Sequence, residues 1–337
     1  MSARAAIFGL KGPRLDDNER DFFRDADPWG FILFARNVES PKQLARLCVS
    51  LRDVVGREAP VFIDQEGGRV QRLRAPQWRE APAAELFGKL FAVDPQAGKE
   101  AVWLNHCLIA HELRASGIDA DCAPCLDLAI EGADAVIGDR AYGSDVEMIA
   151  MLGQSAMDGL MAGGVAPVVK HLPGHGRADA DSHFQLPRVR EPLDLLKDTD
   201  FAPFAALNHA VMGMTAHIVY DALDTDLPAT MSSAALDYIR SEIGFDGLIM
   251  TDDLSMRALT GSFQDRTRHS LEAGCDVVLH CNGNRREMQA VAECLPELEG
   301  DALDRALRAE AARNRGEKFD ANRGLSKLDA FLEQVTE

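Results

Sequence analysis

An apolar run that ends in two carboxylates is the first segment whose residues could do chemistry. Residues 247–256 read GLIMTDDLSM, so Asp252 and Asp253 close a stretch typical of a buried strand. Such a carboxylate could be a nucleophile, a metal ligand or the acidic end of a nucleotide-binding strand, although the chain has no GxxxxGK[ST] loop to hold phosphates. Because side chains alternate along a strand, we expect only one of the two to react, with Asp252 facing the site.

A second segment, KHLPGHGRADADSHFQLP at 170–187, is rich in histidine, aspartate and glycine. His171 and His175 are four residues apart, but the Pro-Gly between them prevents the single helical face of an HExxH zinc site. Asp181 lies two residues before His183, and such a carboxylate can hold one ring nitrogen and leave the other as an acid or base. The alternative is a solvated polar loop.

Two further segments carry charged groups suited to hydrogen bonding. In IDQEGGRVQRL, residues 63–73, Asp64 and Arg72 could form a buried ion pair or a fork of polar groups for sugar hydroxyls. In IGDRAYG, residues 137–143, Arg140 follows the predicted fourth strand. A single loop arginine is usually solvated, so Arg140 is a candidate binding residue only in combination with the other charged segments.

The cysteines indicate a structural role. Cys122-Ala-Pro-Cys125 has the spacing of a redox pair or half a zinc site, but the chain has no second CxxC or histidine pair at similar spacing. The surrounding IDADCAPCLDL is typical of a buried strand and its exit, not of a helix start. Seven scattered cysteines also do not predict a disulfide framework.

Charge and hydropathy exclude several classes of protein. The 337 residues include 36 Lys and Arg against 54 Asp and Glu, a formal net charge of −18, which argues against a nucleic-acid partner. No apolar run approaches the ~18–20 residues of a membrane span. The N-terminus lacks the apolar core and cleavage site of a signal peptide. We therefore expect a soluble, cytoplasmic protein.

The elements that must position these groups alternate along the chain. Apolar runs separated by amphipathic helical patterns predict eight strands, at 5–10, 30–35, 60–66, 118–128, 165–172, 211–219, 247–253 and 275–281. An open doubly wound sheet shares this pattern, but the polar residues follow successive strand ends, which a barrel gathers at one mouth. We predict one α/β domain over 1–337, a single (β/α)8 barrel of TIM type, with a helical tail from about residue 300 packed outside it.

Taken together, these segments resemble glycoside hydrolase family 3, in particular the N-acetyl-β-glucosaminidases of bacterial peptidoglycan recycling. The signatures occur in the family's order between about residues 7 and 284: GFILFARN, IDQEGGRVQR, APCLDL, IGDRAYG, KHLPGHGRADADSH, GFDGLIMTDDLSM and AGCDVVLHCN. The departures are small. Leu172 replaces the Phe common in this motif, and Cys125 stands where Val is usual.

The resemblance implies a single barrel that performs retaining hydrolysis without a cofactor or metal ion. Asp252 would be the nucleophile, and His183 the general acid/base with Asp181 as its partner. The residues implied to hold the N-acetylglucosamine ring are Asp64, Arg72, Arg140, Lys170 and His171. The implied substrate is a muropeptide, N-acetylglucosamine linked to 1,6-anhydro-N-acetylmuramic acid with or without its peptide.

Two alternatives remain at this point. A metal-dependent barrel hydrolase could use a set of ligands drawn from His171, His175, His183, Asp181 and Asp252. The chain lacks the His-x-His that such barrels often carry at the first strand. A non-catalytic sugar-binding protein would explain Asp64, Arg140 and Lys170, but it has no need of Asp252 or of the Asp181–His183 pair.

Overall fold

Eight parallel strands form a nearly closed barrel, which confirms the predicted α/β fold. The computed structural model describes residues 3–178, 180, 182, 185–313, 316 and 318–335. The barrel strands are β1 (Arg4–Gly9), β2 (Pro28–Leu33), β3 (Val61–Ile63), β4 (Ala120–Asp121), β5 (Ala166–Pro167 and Val169–Leu172), β6 (Met212–Thr215), β7 (Leu248–Asp253) and β8 (Val277–His280). Most of their residues are buried, as strands covered by helices outside and side chains inside require.

The barrel is completed through β5, which consists of two pieces. Its first piece, Ala166–Pro167, pairs with β4, and its second piece, Val169–Leu172, pairs with β6. Each other strand pairs in parallel with its neighbours in sequence, and β1 pairs with β8. All strands therefore end at the same mouth.

The fourth strand is much shorter than the 118–128 predicted. Only Ala120–Asp121 pair regularly, and a single bridge joins Cys125 to Lys170 beyond them. Pro124 interrupts the ladder because it has no backbone N–H to donate. Residues 122–127 consequently run beside β5 as an extended segment with few ladder bonds.

Twelve helices are found in the described ranges, and most surround the barrel. They are α1 (Asp17–Ala26), α2 (Pro41–Val55), α3 (Ala84–Val93), α4 (Pro95–Ala115), α5 (Val146–Ala162), α6 (Leu193–Asp198), α7 (Ala202–Ala206), α8 (Ser233–Ser241), α9 (Phe263–Ala273), α10 (Arg285–Ala292), α11 (Gly300–Ala312) and α12 (Ala321–Leu332). Short 3₁₀ turns occupy Ala35–Asn37, Gly138–Arg140 and Ala229–Met231. None of the helices in these ranges has the length and apolar character needed to cross a membrane.

Helix α11 covers the N-terminal end of the barrel. Its alanines Ala306, Ala309 and Ala312 are buried in the same apolar cluster as Ile7 and Trp29 from the barrel strands. Small side chains allow the helix to approach the strand ends closely. Within the tail that we expected outside the barrel, α11 thus closes this end, whereas α12 packs against α4. A cavity opens at the opposite end of the barrel.

Candidate active site

A cavity of about 490 Å³ opens at the C-terminal ends of the barrel strands. Its polar lining comes from residues at or just after β3, β5 and β7 and from the loop that follows β4. In a (β/α)8 barrel this end carries the active site, because loops from all eight strands meet there. The cavity is therefore the candidate active site.

Five side chains form an alternating row of charges along one wall of the cavity, and we call this row the charge ribbon. Its order is Arg72, Asp64, Lys170, Glu66 and Arg140. The nitrogen-to-oxygen distances along it are 2.9 Å, 3.0 Å, 2.6 Å and 2.8 Å. With three cations and two carboxylates, the ribbon carries one net positive charge.

A tight hairpin brings the first pair of the ribbon together. The strand Gln65–Gly67 pairs antiparallel with Val70–Gln71, which returns Arg72 to Asp64. Gly67 and Gly68 have φ of +106° and +56°, a backbone conformation that favours glycine. The Gly-Gly turn in IDQEGGRVQRL is thus a geometric requirement for the Asp64–Arg72 pair.

The ribbon remains ionised because its charges compensate for their burial. Burial alone would raise the pKa of Glu66, but the charges of Arg140 and Lys170 lower it to about 2. Burial would lower the pKa of Lys170, but Glu66 and Asp64 hold it well above its ordinary value. Lys170 is only 2% exposed. The wall is therefore a fixed set of charged donors and acceptors, which suits recognition of hydroxyl groups.

His171 is held in one orientation by Asp127. The distance from His171 Nδ1 to Asp127 Oδ2 is 2.6 Å, and Asp127 Oδ1 accepts the backbone N–H groups of His171 and His175. Burial would raise the pKa of Asp127, but its contact with His171 holds that pKa well below its ordinary value. The other ring nitrogen of His171 is left for the cavity, which this residue lines.

The two carboxylates at the end of β7 have different surroundings. Asp253 accepts hydrogen bonds from the backbone N–H groups of Ser255 and Cys281 and from the Ser255 hydroxyl, so it ties β7 to β8. Asp252 is 8% exposed and lines the cavity, and its Oδ1 accepts the N–H of Asp253. Asp253 also lines the cavity, but these three hydrogen bonds engage its carboxylate, so Asp252 stays the predicted reacting carboxylate.

Six of the predicted site residues line this one cavity: Asp64, Arg72, Arg140, Lys170, His171 and Asp252. Asp181 and His183 lie outside the described residues. Two residues that contact this set, Glu66 and Asp127, received no role from the sequence, although both lie at the predicted strand ends. The signal for Glu66 was its i+2 spacing from Asp64, because alternate residues of an extended segment share one side.

One group in the described ranges brings three different metal-ligating side chains together. The donor atoms of Cys125, Asp127 and His171 all lie within 4.8 Å of one another, and all three residues are buried. His175 lies next to this group, with its ring centroid 5.3 Å from that of His171. This group shares only His171 with the metal ligands considered from the sequence. It adds Cys125 and Asp127 and does not include Asp252 or His175.

A parallel (β/α)8 barrel with a carboxylate and a wall of hydrogen-bonding charges at its mouth is typical of a glycoside hydrolase. Residues 9–313 match the glycosyl hydrolase family 3 N-terminal domain. The chain therefore belongs to glycosyl hydrolase family 3, and the prediction of a glycoside hydrolase is confirmed.

Individual relatives agree with this assignment. A β-hexosaminidase from Thioalkalivibrio sulfidiphilus is 41% identical over 327 residues, which are 94% of this chain and 90% of that protein. A β-hexosaminidase from Thiobacillus denitrificans is 38% identical over 84% of this chain and 79% of its own length. NagZ from Neisseria gonorrhoeae, solved with N-trifluoroacetyl-D-glucosamine, has a TM-score of 0.88 at 30% identity. The superposition covers 100% of this chain and 99% of that protein. The resemblance to the N-acetyl-β-glucosaminidases of the family is confirmed.

Proposed function

We propose that the protein is a retaining β-N-acetylglucosaminidase that removes a terminal N-acetylglucosamine from its substrate. The observation that carries this proposal is that Asp252 and the charge ribbon line one cavity at the catalytic end of the barrel. The names of the relatives, β-hexosaminidases, and the glucosamine derivative bound to the Neisseria gonorrhoeae protein support the choice of an N-acetylated amino sugar.

Asp252 is the proposed nucleophile. Its carboxylate attacks the anomeric carbon, the glycosidic C–O bond breaks, and His183 donates a proton to the departing oxygen. Neutral His183 then takes a proton from water, whose oxygen attacks the anomeric carbon and releases Asp252. Two inversions leave the product with its original β configuration. Asp181 is the proposed partner of the imidazole, and the roles of Asp181 and His183 stay predictions from the family resemblance.

The ring of the sugar is proposed to rest against the charge ribbon and His171. Asp64, Arg72, Arg140 and Lys170 offer charged acceptors and donors already held by one another, so little side-chain entropy is lost when hydroxyls replace water. His171 contributes the ring nitrogen that Asp127 does not engage. This arrangement needs no cofactor and no catalytic metal ion.

The proposed substrate is a cytoplasmic muropeptide, N-acetylglucosamine linked to 1,6-anhydro-N-acetylmuramic acid with or without its peptide, which places the enzyme in peptidoglycan recycling. The net charge of −18 favours neither a nucleic acid nor an anionic membrane surface as a partner. A small carbohydrate fragment fits a cavity of about 490 Å³.

Product stereochemistry tests the proposal. We expect NMR of the reaction with a nitrophenyl N-acetyl-β-glucosaminide to show the β-anomer of N-acetylglucosamine first. The corresponding β-glucoside should react far more slowly, and dialysis against a chelator should not lower the rate. An α-anomer as first product would contradict the retaining mechanism, and loss of activity after dialysis that added metal restores would favour the metal-dependent alternative.

The acid/base role of His183 has its own test. A nitrophenolate leaves without protonation, so His183→Ala should retain far more of its first-step rate on a nitrophenyl glycoside than on the natural disaccharide. The measurement is pre-steady-state release of each leaving group. An equal loss across leaving groups of very different pKa would contradict the assignment.

A further inference from the structure

His217 is a buried imidazole just past the end of β6, beside the carboxylates that close β7. It is 0% exposed, and each of its ring nitrogens has a partner. Nε2 lies 3.1 Å from the backbone carbonyl oxygen of Asp253, and Nδ1 lies 2.8 Å from the hydroxyl oxygen of Thr230. Thr230 lies in the 3₁₀ turn Ala229–Met231 and is also fully buried. His217 therefore connects the end of β7 to this turn.

The two partners determine where the imidazole carries its proton. A carbonyl oxygen can only accept, so Nε2 carries the hydrogen and donates it to Asp253. Nδ1 of the neutral ring is then an acceptor, and the Thr230 hydroxyl can donate to it. Burial lowers the pKa of His217 below its ordinary value of 6.5, although the negative charge of Asp252 opposes this shift. At neutral pH, His217 is thus a neutral donor held in one orientation.

The hydrogen bond to Asp253 extends the connection between β6 and β7 beyond their regular pairing. In the register of these two strands, the last pair is Met214 with Met250, three residues before Asp253. On its other side, β7 stays paired with β8 as far as Asp253, which lies opposite Leu279. The imidazole of His217 therefore supplies the contact that the end of β7 makes on the side of β6.

Asp253 transmits this contact to Asp252 through its backbone. The N–H of Asp253 donates to Asp252 Oδ1 at 2.8 Å, while its carbonyl accepts from His217. Asp252 lines the cavity, whereas His217 itself lies outside the lining. A displacement of a reacting group by about 1 Å can lower a rate about 100-fold, because the attacking atom leaves its near-attack geometry. A change at His217 can therefore act on Asp252 from outside the cavity.

We propose that His217 is a positioning residue, whose neutral imidazole fixes the backbone of Asp253 and thereby orients the Asp252 carboxylate toward the anomeric carbon. This inference rests on the proposed function, in which Asp252 is the nucleophile. Because His217 lies outside the cavity lining, its loss should lower kcat and leave KM nearly unchanged. A purely structural histidine would lower stability without this separation of kcat from KM.

Variants at His217 test the proposal on a nitrophenyl N-acetyl-β-glucosaminide. His217→Met has no donor and should lower kcat about 100-fold, with KM within about twofold of wild type. His217→Gln offers an amide N–H that can reach the position of Nε2, so its kcat should return to within about fivefold of wild type. Pre-steady-state release of nitrophenolate should show that the loss in His217→Met falls on formation of the glycosyl-enzyme.

His106 provides the matched control, because it is another buried imidazole with a backbone partner. It is 3% exposed and lies on α4, with Nδ1 2.8 Å from the carbonyl oxygen of Val102. His106→Met should lower the melting temperature and leave kcat unchanged. If His217→Met does not fold, Thr230→Val removes the partner of Nδ1 and should lower kcat about tenfold, and Thr230→Ser should recover most of that loss.

Several results would overturn the proposal. They are an unchanged kcat in His217→Met, equal losses of kcat in His217→Met and His217→Gln, a loss that appears mainly in KM, and an equal loss of kcat in His106→Met. If His217→Met does not fold, an unchanged kcat in Thr230→Val would have the same meaning. Failure of the proposed function would appear separately, as wild-type protein that does not hydrolyse the glycoside or that forms no covalent sugar on Asp252.

Discussion

Ion clusters lie at both ends of the barrel, and the cluster at the C-terminal end lines the candidate active site. At the N-terminal end, Asp119 pairs with Arg52 and Arg313 at 3.0 Å and 2.7 Å. Also at this end, Asp276 pairs with Arg240 and Arg305. At the C-terminal end, the charge ribbon lines the candidate active site.

The two ends differ in what their charges connect. Asp119 joins α2 to the residue that follows α11, and its Oδ1 accepts the N–H of Val61 in β3. Asp276 joins α8 to α11 and accepts the N–H of Ile249 in β7. These clusters hold helices to strands, whereas the ribbon joins strands and loops around a cavity. Equivalent substitutions should therefore reduce catalysis at the C-terminal end, whereas at the N-terminal end they should reduce stability and leave catalysis nearly unchanged.

The largest effect is expected from the proposed nucleophile. Asp252→Ala should lower kcat on the order of 10⁴-fold or more, because the proposed glycosyl-enzyme forms on this carboxylate. Its thermal unfolding should change little, since Asp252 lies at the cavity and not in the apolar core. The measurement is the steady-state rate on a nitrophenyl glycoside together with calorimetry.

Asp253, the residue next to Asp252, provides the matched control. Asp253→Ala should lower the melting temperature, because its carboxylate accepts bonds from Ser255 and Cys281. It should retain far more activity than Asp252→Ala. An inactive Asp253→Ala beside an active Asp252→Ala would reverse the assignment.

A smaller loss is expected at the centre of the ribbon. Glu66→Gln should lower kcat/KM by roughly 100-fold, because the buried Lys170 and the half-buried Arg140 lose their shared carboxylate. Most of the loss should appear in KM, since the variant misplaces binding groups and leaves Asp252 intact. A loss confined to kcat would argue against a positioning role for Glu66.

The effect of Glu66→Gln on the free energy of unfolding should depend on pH. The pKa of Glu66 is about 2 in the folded protein against an ordinary value of 4.5, so its ionised form stabilises the fold above pH 4.5. This stabilisation decreases as pH falls from 4.5 towards 2. The difference in unfolding free energy between wild type and Glu66→Gln should be constant at neutral pH and shrink across that window, and a difference that grows there would contradict the ion pairing.

At the other end, stability should change without catalysis. Asp119→Asn should reduce the free energy of unfolding by about 3 kcal/mol, because the buried Arg313 and the half-buried Arg52 would lose their counter-charge. Its kcat/KM should stay within about twofold of wild type, as expected at the N-terminal face of a barrel. Urea unfolding and steady-state kinetics on the same preparation measure both quantities. A kinetic loss like that of Glu66→Gln would abolish the distinction between the two ends.

The smallest effect is expected at the rim of the cavity. Arg69 is half exposed and donates to the backbone carbonyls of Ala135, Val136 and Ile137, in the loop beside the cavity. Arg69→Ala should raise KM about threefold, because the loop loses these largely exposed hydrogen bonds, with no change in kcat. Titration with substrate measures this, and an unchanged KM would mean that this loop does not shape the site.

The barrel was predictable because each strand is a short apolar run and each run is followed by a helical pattern. The length of β4 was not, because Pro124 stops the ladder inside an apolar stretch. Helix α3 has no capping residue to mark its start in the sequence, because Ala83 provides no side-chain cap. The role of Glu66 depends on Arg140, 74 residues away, and such a pairing emerges only from the folded barrel.

Trapping of the glycosyl-enzyme tests the central claim most directly. The protein would be incubated with a 5-fluoro N-acetylglucosaminyl fluoride, digested, and analysed by mass spectrometry. We predict a covalent sugar on the peptide that contains Asp252, and its absence in Asp252→Ala. A label on Asp253 or on another residue, or inactivation without any covalent sugar, would contradict the account.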